Sequence, residues 1–159
     1  MATIKELEDG IKKLNNDLQE LKAKQKRWVS EQGEIYYYID SNLYVVLERN
    51  YNYQSDKNRI LVGNCYETNA EAEKERDRII AIAEVNQIIR EENDGQVLDW
   101  NDDRQTKKQI VFSYTTNCLT YADCYACKAE SALEYCSVFA ISSVIARITQ
   151  DQINKIWRL

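Results

Sequence analysis

The stretch CYETNAEAEKERDRIIAIAEVNQII, residues 65–89, returns in altered form as CYACKAESALEYCSVFAISSVIARI, residues 124–148. Aligned without gaps at an offset of 59, nine of the 25 positions are identical. Average composition gives roughly one or two matches by chance. Cys65-Tyr66 matches Cys124-Tyr125, Ala70-Glu71 matches Ala129-Glu130, and Glu75 matches Glu134. Ala81-Ile82, Val85 and Ile89 match Ala140-Ile141, Val144 and Ile148, a spacing that lays one apolar face along a helix. Each copy reads as a small antiparallel sheet followed by a helix lying on it. A single such unit buries too little to stand alone, whereas two can share a core.

Working outward, the residues before each helix read as strands. Glu34–Ile39 is aromatic and β-branched, Asp40-Ser41-Asn42 makes a turn, and Leu43–Leu47 is its partner. Asn50–Asn58 reads as a polar loop and Arg59–Val62 as a short third strand. Thr68 and Glu71 form a capping box that opens a helix from about Asn69 to Glu92. In the second half, Lys108–Tyr114 and Cys118–Tyr121 pair across a Thr115-Thr116-Asn117 turn, and a helix from Lys128 runs almost to the C-terminus.

The N-terminal region has a different periodicity. Ile4, Ile11 and Leu18 occupy heptad position a, and Leu7, Leu14 and Leu21 position d. Isoleucine at a with leucine at d favours a parallel two-stranded coiled coil. A helix from Thr3 to Trp28 is about 40 Å long at about 1.5 Å per residue. The expected fold is α+β: a dimerisation helix over 1–32, then a body over 33–159 repeated as 33–94 and 95–159.

Composition bounds the chemistry. The chain has 159 residues, 44% of them hydrophobic and 30% charged, as in an ordinary globular domain. A net charge of −5 argues against a nucleic-acid backbone as main partner. Histidine and proline are both absent. That removes histidine-based hydrolase triads and the thioredoxin cis-proline site. The opening residues show no signal-peptide pattern, and five cysteines without one read as reduced thiols in a cytosol. Ala132–Ile148 is apolar but shorter than the roughly 20 residues of a membrane span, and reads as a buried helix.

Three groups of residues invite a functional reading. Cys124 and Cys127 form a Cys-x-x-Cys pair near Cys118 and Cys136. Its counterpart Cys65 has no second cysteine beside it, so the shared feature is Cys-Tyr leading into a helix, and no metal or cofactor is expected. Tyr36, Tyr38, Tyr51 and Tyr53 belong to an aromatic cluster with few basic residues, which favours protein contact over base stacking. Asp94, Asp99, Asp102 and Asp103 form an acidic run whose spacing fits no EF-hand, suited either to solvent or to a basic partner.

Two stretches resemble a widespread group of uncharacterised phage and prophage accessory proteins. One is the lead-in Gly63, Asn64, Cys65, Tyr66 and Thr68 with Ala70-Glu71 or Ala72-Glu73. The other is Asp94, Gly95, Asp99, Trp100, Asp102, Gln105 and Lys107, with an asparagine displaced to Asn93. The cysteine-rich second half departs from that pattern. The resemblance supplies no catalytic residues. It implies a phage setting, the cytoplasm of a bacterial host cell, in which small accessory proteins block host defences. The expected function is therefore a non-enzymatic, dimeric protein-binding inhibitor of a host anti-phage component. The alternatives are a module sequestering a small ligand such as a nucleotide signal, and a cysteine-based metal or redox protein.

Overall fold

A computed structural model of the chain describes residues 10–14, 28–96, 98–102, 104–124 and 133–159. It is a mixed α+β structure with two small antiparallel sheets. The elements run β1 (Ile35–Ile39), β2 (Val45–Arg49), α1 (Gln54–Val62), α2 (Asn69–Asn93), β3 (Lys107–Ser113), β4 (Cys118–Cys124), β5 (Cys136–Ser137), α3 (Ile141–Arg147) and α4 (Gln150–Trp157). The chain divides into two compact units, Met1–Ala72 and Glu73–Leu159.

In the first unit β1 and β2 form a hairpin with Tyr37 opposite Leu47. Asp40 shapes its turn, accepting the N–H groups of Asn42 and Tyr44 at 2.9 and 2.8 Å while Leu43 sits at φ 64°. The expected loop and third strand over Asn50–Val62 are corrected to a loop and the helix α1. Asp56 caps its first turn by accepting the Tyr53 N–H at 2.9 Å. Gly63, at φ 80°, ends it in a Schellman pattern: Gly63 N–H bonds to Ile60 O and Asn64 N–H to Arg59 O. Those ends hold a helix whose sequence is polar nearly all round.

The Gly63–Ala72 lead-in then serves structure. The Asn64 amide pairs with both the N–H and the C=O of Ile39, at 2.8 and 2.6 Å. Tyr66 exchanges two backbone bonds with Tyr37, Cys65 and Ala72 are buried, and Thr68 and Glu71 form the expected capping box.

The second unit is organised around β3, flanked by β4 and β5 in the order β4-β3-β5. Its core joins Ala81, Val85 and Ile89 of α2 to Ile110, Leu133, Cys136, Ala140, Ile141, Val144, Ile148 and Ile156. The expected single helix from Lys128 to the C-terminus is corrected over Leu133–Leu159 to β5, a turn, and the helices α3 and α4. Competing bonds explain it. Cys136–Ser137 pairs with Lys107–Lys108. The Asn93 side chain takes Tyr135 O at 3.1 Å and Ser137 N–H at 2.9 Å, and Asn86 takes Glu134 N–H at 2.8 Å. Backbone groups engaged sideways are not free for a helical ladder.

Of the heptad residues, Ile11 and Leu14 lie in the helical residues 10–14, where both are exposed in the single chain. Ile4, Leu7, Leu18 and Leu21 lie outside the described residues. Among the described residues, no helix is long and apolar enough to cross a membrane.

Candidate functional site

The tyrosines of the first unit separate into a support and a display. Tyr36 is the support: it is 0% exposed, and its hydroxyl donates to Asp56 Oδ1 at 2.8 Å while accepting from Arg59 at 2.7 Å. Burial pushes its phenol up to about 12. Tyr38 lies beneath the Arg59 guanidinium, 3.7 Å from ring centroid to carbon. Arg59 also reaches Asp56 at 3.6 Å and Glu48 at 3.9 Å. Asp56 is a buried carboxylate, only 2% exposed, and an ion in that position must be neutralised by several donors.

Asp56 has those donors, and they decide the loop. Its Oδ2 accepts the backbone N–H of Tyr51 at 3.1 Å and of Tyr53 at 2.9 Å. Between them, the N–H of Asn52 donates to Asn50 Oδ1 at 2.8 Å. Asn50 is itself buried and its amide donates to Ser30 O at 2.8 Å. Three consecutive N–H groups are therefore tied to two buried side chains. Asn52 closes the bend at φ 61°, a left-handed conformation that asparagine accepts readily. The result is a tilted pair of rings, Tyr51 and Tyr53, with centroids 5.6 Å apart and exposures of 53% and 65%.

The acidic run falls in the second unit. Asp94 is exposed in a turn with positive φ at both Asp94 and Gly95. The Asp99 carboxylate accepts Asn101 N–H at 2.9 Å, and that of Asp102 accepts Arg104 N–H at 3.0 Å. Gln105 accepts Asp99 N–H at 2.7 Å, and the buried Lys107 donates to Asp102 O at 2.8 Å with its ammonium 5.4 Å from the Trp100 ring. Trp100 in turn meets Tyr135 edge-on at 4.8 Å. Residues 99–102 and 104–107 of the second stretch are thus linked by hydrogen bonds, and Asp94 and Asp99 are both exposed. Asp103 lies outside the described residues.

Among the described residues the four cysteines are free thiols. Cys65 and Cys136 are buried, Cys124 is half-buried, Cys118 is exposed, and Cys127 lies outside the described residues. Burial pushes the Cys136 thiol up to about 12, which keeps it protonated and unreactive near neutrality. Among the described residues, no group of three or more acidic or cysteine side chains is placed to hold a metal ion.

Sequence reasoning grouped the four tyrosines but missed what arranges them. Asp56, Asn50 and Asn52 are the missed residues. The readable signal was an aspartate three positions after Tyr53, with Gly63-Asn64 following at a helix's distance. No family model, curated protein or solved structure matches the chain.

Proposed function

We propose that the chain is a non-enzymatic, phage-type accessory protein that acts in the bacterial cytoplasm as a dimeric inhibitor, binding a host anti-phage defence component. The observation that carries the binding part is the Tyr51–Tyr53 pair. Tyrosine supplies large amphipathic contact area with few rotors to immobilise, and a fixed backbone lowers the entropy cost of association further. Here that backbone is tied by Asp56 and Asn50. The exposed Asp94 and Asp99 provide a second, acidic contact for a basic partner.

In this reading the heptad of the first 32 residues joins two chains as a coiled coil, supported by the exposure of Ile11 and Leu14 on a helical segment. The body behind it is a duplicated sheet-and-helix unit, supported by two hairpins, β1–β2 and β3–β4, and by matched apolar residues 81, 85, 89, 140, 144 and 148 meeting in one core. The phage setting and the defence target rest on the resemblance in the two stretches 63–73 and 93–107.

The test is expression in a defended bacterial host. The chain should restore phage plating, and the double variant Tyr51→Ala, Tyr53→Ala should lose restoration while keeping its melting temperature. Affinity capture with both forms then identifies the target as the protein depleted at least tenfold with the variant. Equal restoration by both forms sinks the tyrosine contact. Light scattering tests the coiled coil: substituting Ile11→Asp and Leu14→Asp should halve the mass of the native assembly.

A further inference from the structure

We propose that the outer edge of β4 is a self-pairing surface, on which a second copy of this chain adds its own β4 antiparallel with Tyr121 opposite Tyr121. β4 stands at the end of the β4-β3-β5 sheet, and among the described residues it pairs with β3 alone. The pairing with β3 runs unbroken over seven residues, from Lys107 opposite Cys124 to Ser113 opposite Cys118. Exposed edges this long are normally blunted by lysine, proline, a bulge or an inward-pointing charge. Of these devices the strand, CLTYADC, carries only a charge on its core-facing side. Its one charge, Asp123, is already engaged by the Lys108 ammonium.

The occupant follows from the strand's own symmetry. Pairing about Tyr121 sets Cys118 opposite Cys124, Leu119 opposite Asp123, and Thr120 opposite Ala122 of the other copy. No charge meets a like charge. The two Asp123 carboxylates stand about 14 Å apart along the strand, beyond the roughly 8 Å screening length at physiological salt. The register with β3 places Leu119, Tyr121 and Asp123 on the face shared with Ile110 and Phe112, which are buried. Cys118, Thr120, Ala122 and Cys124 share the other face, where small side chains let a second backbone approach. Two three-stranded sheets would become one of six strands about a two-fold axis.

The cysteines supply the test. In this register Cys118 and Cys124 of opposite copies have Cβ atoms about 5 Å apart, within reach of a disulfide after a small shift. Within one chain they are about 20 Å apart along the strand, so a bond between them joins two copies. Full-length chains labelled with ¹⁴N and ¹⁵N are mixed and oxidised with diamide, which takes the two electrons and two protons of each thiol pair. Mapping should find mixed-isotope peptides linking Cys118 to Cys124, in both the native chain and the Ile11→Asp, Leu14→Asp variant. The double variant Thr120→Lys, Ala122→Lys, which sets ammonium groups opposite one another, should reduce that link at least tenfold without changing the circular dichroism spectrum. Absence of the link, a dominant link through any other cysteine pair, or a link indifferent to the two lysines overturns the proposal.

Discussion

The first unit buries few apolar side chains around one carboxylate network, whereas the second sets a large apolar cluster beside its buried polar groups Asn93, Lys107, Lys108 and Ser137, although each contains a hairpin and helix. Among the described residues the first buries Tyr36, Ile39, Cys65 and Ala72 with Asp56, Asn50 and Ser30. The second gathers eleven buried residues into one cluster of mostly aliphatic side chains. An apolar core is non-directional and tolerates adjustment, whereas a buried carboxylate demands donors at fixed positions. In the first unit the buried carboxylate of Asp56 fixes the loop that carries the exposed tyrosine pair.

The comparison breaks most sharply at Asp56. Asp56→Ala leaves the Tyr36 hydroxyl, Arg59 and two N–H groups without their acceptor, and removing one partner of a buried charged network costs about 3–5 kcal/mol. Hydrogen exchange should show lost protection over 35–66 with protection retained in β3 and α3. Equal loss in both units would show that the two do not differ in the way described. A smaller effect is expected in the apolar core. Ile89→Ala should cost about 3 kcal/mol by chemical denaturation, from lost transfer energy plus a cavity.

Alkali sharpens the contrast. Burial raises Cys136 and Tyr36 to about 12, so the native chain keeps protons that the unfolded chain releases from about pH 9 and about pH 10 respectively. Stability is full below those unfolded values and falls as pH rises toward 12, by up to about 1.4 kcal/mol per pH unit for each group. Urea midpoints followed between pH 8 and pH 11 should decline first for the second unit. Cys136→Ala should flatten that first decline. Smallest of all is the effect of Tyr53→Ala on folding, within about 0.5 kcal/mol for an exposed side chain. The same change should weaken partner binding at least tenfold in a titration with the captured target.

Much of the fold was legible where local signals agreed. The Thr68–Glu71 box marked the start of α2, and the β-branched and aromatic runs marked β1 to β4. The apolar spacing of the last segment also pointed to core residues, since Leu133, Cys136, Ala140, Ile141, Val144 and Ile148 are buried together, although Val138 and Phe139 in the same segment are exposed. It misjudged their backbone, because the bonds from Asn86, Asn93 and β3 that hold residues 134–137 come from residues distant in sequence. α1 was missed for the opposite reason. Its sequence lacks an apolar stripe, and it is secured by caps at both ends. At the candidate site, the tyrosines were visible by type, but Tyr36 and Tyr53 look alike until Asp56 places one inside and the other out.

The left-handed residue between the two exposed rings has a bearing on kinship. Asn52 sits at φ 61°, where asparagine, aspartate and glycine are comfortable and other residues pay roughly 1–2 kcal/mol. Two tyrosines around a valine or isoleucine would follow an extended path and point their rings elsewhere. Chains descended from a common ancestor can thus keep both tyrosines and still lose the paired surface. Inheritance of that surface is read at the spacer, together with an acidic residue four positions beyond it.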